Sequence, residues 1–313
     1  MNESVHAATI SVAVERLAGA FVSHRRSPVL RSPADHGLTF ESVIFPSQDG
    51  IELKGWFVPA DNARAVVVVN HPRYFSRSGL PAHQEPWRSS FAVTGNDFEV
   101  DLVPDIAILH RAGYHVLAYD LRNFGSSATA DDAVTSGGIL ESRDVIGSLR
   151  YIRSRPDCRG ADIVLFSRCL GANASLFAIQ RAPAEFADVR GLVACQPLSP
   201  HMVLERALER EDLPLDLMHA IDERTHARTG FRLAEMSPIP AASSCSIPTF
   251  VYQVREDRMT RQSDVQAVFE ALPDAGGDNE LYWIEDTSRR WDGYLYFQRD
   301  PSHILEWIRR HVG

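Results

Sequence analysis

No apolar run in this chain approaches the ~18 residues needed to cross a bilayer; the longest, Ala65 to Val69, reads as a buried strand. The opening residues, MNESVHAATI, lack a charged segment followed by an apolar stretch and a cleavage site, so no secretory signal is expected. Cysteine is scarce. Cys158, Cys169, Cys195 and Cys245 stand at wide, irregular intervals that fit neither a disulfide framework nor a zinc site. An excess of positive charge is missing too: 32 Lys and Arg against 41 Asp and Glu give a net charge of −9, which argues against nucleic acid or an anionic membrane as partner. There is no G-x-G-x-x-G opening a helix, no G-x-x-x-x-G-K-[ST] and no close His/Asp/Glu cluster, so neither a cofactor nor a metal is expected. Internal repeats and low-complexity segments are also absent. These exclusions leave a cytoplasmic protein whose 313 residues, 44% hydrophobic, can build one large core or two modest ones.

The order of elements narrows the fold class. Glu3 to His24 has apolar residues at helical spacing and ends at Ser27-Pro28, an arm that packs on the body or on a second copy in a homodimer. Thr39 to Pro59 alternates around the turn Gln48-Asp49-Gly50 and reads as an antiparallel hairpin. Thereafter β-branched or apolar runs (65–69, 114–119, 161–166, 191–195, 249–254, 280–284) alternate with helical patterns (100–112, 140–154, 171–181, 301–311). That alternation predicts a mostly parallel sheet with helices on both faces and the hairpin as its antiparallel edge. Two stretches break it. Residues 71–99 form a long connection rich in Pro and aromatics, and 198–245 carry helical patterns between two strands. An insertion there lies over the carboxyl ends of the strands, where ligands bind in open sheets, and is expected to act as a lid.

The strand Ile163 to Phe166 runs into Ser167-Arg168-Cys169-Leu170-Gly171, and a helix follows at once. This is the strand–turn–helix setting of a nucleophile elbow, G-x-S-x-G, with Ser for the first Gly and Cys at the centre. The positive end of the following helix favours a thiolate there. Cys158, Cys195 and Cys245 have no such setting and read as inert.

On this elbow and order of elements, residues 39–313 resemble the α/β-hydrolase superfamily, and the central Cys is similar to its dienelactone-hydrolase branch, which uses a Cys–His–Asp set. The strand end from Tyr119 to Ser126 also resembles the D-x-R-x-x-G-x-S stretch that follows the fourth strand in these proteins. The resemblance implies an α/β-hydrolase core at 39–197 and 246–313, a helical lid at 198–245 and an N-terminal helical extension at 1–38. It implies oxyanion donors from the Leu170 N–H and from the loop Asn70-His71-Pro72-Arg73-Tyr74. Since proline has no N–H, the second donor is Arg73 or Tyr74, while His71 packs the turn. The acidic partner is expected after the strand at 249–254, at Asp257, with Glu256 as its near alternative.

The base is where the pattern fails. The loop after the last strand holds Arg289 and Arg290 where a histidine is expected. His303, early in the last helix, is the remaining candidate if the intervening loop folds back. A serine without a base is nearly inert, whereas cysteine carries some thiolate near neutral pH. Arg168, Arg289 and Arg290 are candidates to hold that thiolate. The expected activity is therefore a Cys-dependent acyl hydrolase or acyltransferase, esterase- or thioesterase-like. It would act on an ester, lactone or thioester, free or carrier-bound, through acyl-Cys169. Tyr74, Trp87, Arg289 and Arg290 are the substrate-binding candidates. Two alternatives stay open: a cyclase or transferase that avoids hydrolysis, and an inactive binding protein on the same fold.

Overall fold

A computed structural model describes residues 3–22, 25–63, 65–275 and 278–313. After the helix α1 (Glu3–Gly19) come the hairpin strands β1 (Glu41–Pro46) and β2 (Glu52–Val58), then β3 (Ala65–Asn70), every residue of which is buried. The helix α2 (Val103–Arg111), β4 (His115–Tyr119), α3 (Ser142–Ser154), β5 (Asp162–Arg168), α4 (Leu170–Arg181) and β6 (Val189–Cys195) continue the alternation. Two helices, α5 (Pro200–Arg210) and α6 (Leu217–Thr229), precede β7 (Thr249–Val254). The chain ends with α7 (Gln262–Ala271), β8 (Glu280–Ile284), α8 (Arg290–Arg299) and α9 (Ser302–His311).

The eight strands form one sheet in the order β1-β2-β4-β3-β5-β6-β7-β8. Only β2 runs against both its neighbours; every other pairing from β4 to β8 is parallel. The hairpin is thus at the edge, as expected, but its outer strand points the same way as the rest of the sheet. From β3 the chain moves one way to β4 and the other way to β5, so the strand order reverses between β3 and β5. Crevices at such reversals, beyond the carboxyl ends of the strands, are where open α/β sheets bind ligands. The loop at 71 and the turn at 169 face each other across that crevice.

Each face of the sheet has its own core. One face packs Leu117, Leu165 and Leu192 with Val145, Ile146 and Leu149 of α3 and Leu176 and Ile179 of α4. The other packs Val67, Val164 and Phe250 with Ile106 of α2, Phe297 of α8 and Trp307 of α9. A third cluster sits apart. In it Val14, Leu17, Ala18 and Phe21, from α1 and the turn after it, meet Leu204 and Leu208 of α5 and Met218 and Ile221 of α6. The apolar residues of α1 from Val14 onward are therefore covered by this chain's own helices. His24, the end of the helix expected from the sequence, lies outside the described residues.

Gly171 shows how tightly the crevice floor is packed. A Cβ on it would stand 2.7 Å from both the Cβ and the carbonyl oxygen of Asn70 at the end of β3. No rigid contact of that length is tolerated, so α4 can approach β3 only with glycine here. Gly171→Ala is expected to lower stability by about 1–3 kcal/mol, the usual range for overpacking, in urea unfolding; a loss under about 0.5 kcal/mol would contradict this packing.

Candidate active site

Cys169 joins β5 to α4 with φ 50° and ψ −110°. A non-glycine residue rarely holds a positive φ, and the strain persists only because both flanking elements are locked. On the strand side the Cys169 N–H donates to Cys195 O at 2.8 Å. Ser167, two residues earlier, accepts a hydrogen bond from Asn70 Nδ2 at 2.8 Å and shares one with Ser175 Oγ at 2.9 Å. The serine that replaces the usual glycine thus ties β5 to β3 and α4. Cys169 is only 9% exposed, yet it lines a cavity of about 280 Å³.

The walls of this cavity come from parts of the chain far apart in sequence. The 71–99 connection supplies Tyr74, Phe75 and Phe91; α8 supplies Trp291 and Tyr294; and Leu17, Phe21, Val203 and Leu204 close it from the α1/α5 side. Arg16 of α1 pairs with Glu211, just past α5, at 2.5 Å beside the same opening. Among the described residues that line it there is no histidine.

The position opposite the sulfur is held by Arg290, the first residue of α8. Its guanidinium is buried and donates to three acceptors: Asp257 Oδ2 at 2.6 Å, Tyr294 Oη at 2.9 Å and the backbone oxygen of Gln196. Gln196 returns a bond from Nε2 to Arg290 O at 2.6 Å, which pins the start of α8 to the end of β6. Asp257 in turn accepts from Gln253 Nε2 at 3.1 Å and from the Met259 N–H at 2.8 Å. Burial opposes the charge on Arg290, but Tyr294, Asp257 and Cys169 outweigh it, so its pKa rises further above the ordinary arginine value. A guanidinium held this way cannot accept a proton near neutral pH; it can only present a fixed positive charge and donor hydrogens.

Tyr294 is the member that sequence reading missed. It lies one helical turn after Arg290, is buried, and lines the same cavity as Cys169. Burial, with Cys169 and Cys195 nearby, keeps it a neutral phenol by raising its pKa well above 10, against the pull of Arg290. The signal was available as Arg290 and Tyr294 at i, i+4, but it needed α8 to be recognised as a helix. Gly293 and the surrounding aromatics argue against one from sequence, since glycine and aromatic residues lower helix propensity. The helix is glycine-bearing because Gln196 packs against it: a Cβ at 293 would sit 2.7 Å from the Gln196 side chain.

Several expected residues lie elsewhere. His303 does not fold back toward the elbow; it pairs with Glu280 Oε2 at 3.0 Å and packs edge-on against Phe250 and Tyr282. Glu280 begins β8, whereas Cys169 follows the last residue of β5, so the histidine stands at the opposite end of the parallel strands. Ten residues of helix fill the connection it was expected to use. Arg168 turns under the sheet onto Asp105, whose carboxyl burial pushes up to about 6. Arg289 pairs with Asp292 at 2.8 Å and covers Phe98, and Trp87 packs on the core beside α2 and α8; neither lines the cavity. Glu256 accepts from Gln262 and is exposed.

On the oxyanion side, Leu170 opens α4, where the first N–H groups have no intrahelical acceptor. Tyr74 has a left-handed φ of 71°, and the guanidinium of Arg73 donates to Ala20 O while covering the rings of Phe21 and Tyr74. His71 accepts the Leu121 N–H on Nε2 at 3.0 Å, so Nδ1 carries the proton and donates to Pro72 O at 2.7 Å. Burial lowers its pKa and keeps it neutral.

A sequence profile described as "Alpha/beta hydrolase family" matches residues 66–312. This chain belongs to the alpha/beta hydrolase family. Among solved family structures it superposes on an esterase of Pyrococcus furiosus with a TM-score of 0.68, at 20% identity over 94% of this chain and 99% of that one. A dienelactone hydrolase from Anabaena variabilis superposes with a TM-score of 0.53, at 16% identity over 88% of this chain and 99% of the other. At these identities the likeness speaks for the fold. The uncharacterised protein YfhR of Escherichia coli (strain K12) is 28% identical over 150 residues, 46% of this chain and 43% of YfhR. Its counterpart in Salmonella typhimurium is 26% identical over 209 residues, 64% and 61% of the two chains. The match therefore spans less than two thirds of these curated relatives. Among the described residues no helix is long and apolar enough to cross a membrane.

The buried pair Arg290–Asp257 also carries stability. Asp257→Asn leaves a guanidinium enclosed without its counter-ion and is expected to cost about 3–5 kcal/mol in urea unfolding. The exposed Asp216→Asn should stay within about 0.5 kcal/mol. Equal effects at the two positions would contradict the pairing.

Proposed function

We propose that this hydrolase-family protein is a cysteine-dependent acyl-transfer enzyme. Its sulfur at Cys169 attacks an ester, lactone or thioester of an apolar acid and carries the acyl group as a thioester. One observation carries the reading: a strained elbow presents a cysteine to a cavity beside a buried cation that a carboxylate holds in place. A fixed positive charge is of no use to a serine, whose hydroxyl needs a base. It is of use to a thiolate, which needs only a counter-charge.

The other three cysteines do not compete. Burial pushes Cys158 and Cys195 up to about 12 and raises Cys245, so all three stay thiols. In the attack the carbonyl oxygen gains negative charge, and Leu170 N–H with Arg73 or Tyr74 N–H is the donor pair proposed to meet it; one such donor is worth roughly 3–4 kcal/mol of barrier. The acyl chain would lie among Phe75, Phe91, Trp291 and Leu204, with α5 and α1 as a lid over it. Aromatic and aliphatic walls with few polar atoms suit a medium-sized apolar acyl group rather than a sugar or a peptide. With no imidazole in the described lining, transfer to an alcohol, amine or thiol acceptor, or ring closure by the acyl chain itself, competes with capture by water.

Steady-state assays on a panel of alkyl and aryl esters test this. Cys169→Ala is expected to reduce kcat/KM by about 10³-fold or more, and Cys169→Ser by nearly as much because Arg290 cannot deprotonate a hydroxyl. A Cys169→Ala protein with wild-type turnover, or a serine variant that is more active, would contradict the cysteine mechanism.

A further inference from the structure

Acyl transfer from an alkyl ester needs a proton for the departing alkoxide, and Arg290 releases none. Histidine is absent from the described cavity wall, and Asp257 is shielded from the cavity by Arg290. One buried phenol shares the cavity with the sulfur and can both give and take a proton. Tyr294 Oη accepts from Arg290 Nε at 2.9 Å, and its own hydrogen is thereby left to point elsewhere. Tyr294 and Cys169 line the same cavity.

We propose that Tyr294 is the acid–base residue of this site, doing through a phenol what the family does through an imidazole. The inference rests on Cys169 being the nucleophile. The thiolate attacks the acyl carbon, and the tetrahedral oxyanion collapses with cleavage of the carbon–oxygen bond to the alcohol. Tyr294 passes its proton to that alkoxide, which leaves as neutral alcohol. The resulting tyrosinate is held by Arg290, one turn away on α8. An incoming water or alcohol then attacks the thioester as the tyrosinate takes its proton, and the thiolate leaves. Tyr294 is a phenol again, Cys169 a thiolate again, and charge and protons balance over the cycle.

The surroundings fit a group that cycles between these forms. Arg290 donates Nε–H to the hydroxyl at 2.9 Å from one turn earlier on the same helix, with Asp257 as its counter-ion, while Cys169 and Cys195 are the thiols that act on the phenol and Arg168 is paired with Asp105. One cation, Arg290, therefore adjoins the oxygen on which the tyrosinate charge forms. The resting state stays protonated through burial, so the residue acts first as an acid. That order matches the need, since alkoxide departure precedes entry of the second nucleophile.

A purely structural tyrosine and an acid–base tyrosine differ in how they respond to the leaving group. The test measures single-turnover alcohol release by wild type, Tyr294→Phe and Cys169→Ala from an ethyl ester and a p-nitrophenyl ester of the same acid. Nitrophenolate departs without a proton; ethoxide does not. Tyr294→Phe is expected to slow release of ethanol by about 10²-fold or more, the usual worth of a general acid, while nitrophenol release stays within about threefold. Equal losses on both esters, or none on either, would overturn the assignment. Release unaffected by Cys169→Ala would instead overturn the nucleophile on which it rests, and this proposal with it. Should Tyr294→Phe not fold, the wild type still decides across a graded series of leaving alcohols. A shallow dependence on alcohol acidity with a solvent deuterium isotope effect supports proton donation, and a steep dependence without one overturns it.

Discussion

Asp257 and Arg290 form an ion pair with almost no water around it, and the site is arranged about that pair. Removing two charges from solvent costs several kcal/mol each, and their attraction offsets this only when the remaining donors and acceptors are satisfied. Here they are: the guanidinium reaches the Gln196 carbonyl and Tyr294 as well as Asp257, and the carboxylate takes bonds from Gln253 and Met259. The pair therefore joins the ends of β6 and β7 to the first turn of α8. In doing so it sets where Arg290 and Tyr294 stand relative to the elbow. A hydrophobic replacement would be cheaper in stability terms; what the charges supply is a fixed cation next to a sulfur.

The same constraint explains the division between a conserved-looking frame and an altered chemical centre. The elbow needs only small, close-packed neighbours, and Gly171 against Asn70 provides them whatever atom stands at 169. The centre needs a partner matched to its nucleophile. Imidazole matches a hydroxyl because it can remove the proton. Guanidinium cannot, and it matches only a nucleophile that ionises by itself. Cys169 and Arg290 are thus mutually consistent, and neither fits well with the partner the fold ordinarily offers.

Much of this was legible before any coordinates. The run Ala65 to Val69 has no polar interruption, so it had to be covered on both faces, and β7 and β8 have the limits their apolar runs suggest. Cys169 was legible from a strand, a tight small-residue turn and a helix in direct succession. The resemblance put the acidic partner after β7, at Asp257 or its neighbour Glu256, and put Arg289 or Arg290 where a histidine was expected. The region from Arg290 to Arg299 was not legible as a helix. Its stripe is not amphipathic, because Arg290, Trp291, Asp292, Gly293, Tyr294 and Phe297 are buried around more than one face. Without that helix the connection to His303 looked long enough to bend back, and Tyr294 had no reason to be near a sulfur. The cavity walls were legible only as unusual stretches, since a cavity built jointly by residues 16–21, 73–94, 198–211 and 290–294 has no local signature.

The central claim is that a covalent bond forms between substrate and one sulfur. Rapid-quench mass spectrometry of the intact protein during reaction with an activated ester of an apolar acid, followed by peptide mapping, observes that bond itself. The account predicts a mass increase equal to one acyl group, located on the peptide that contains Cys169 and released by hydroxylamine. Turnover of the same ester with no protein-bound acyl group at any time, or with the group on another residue, would contradict it.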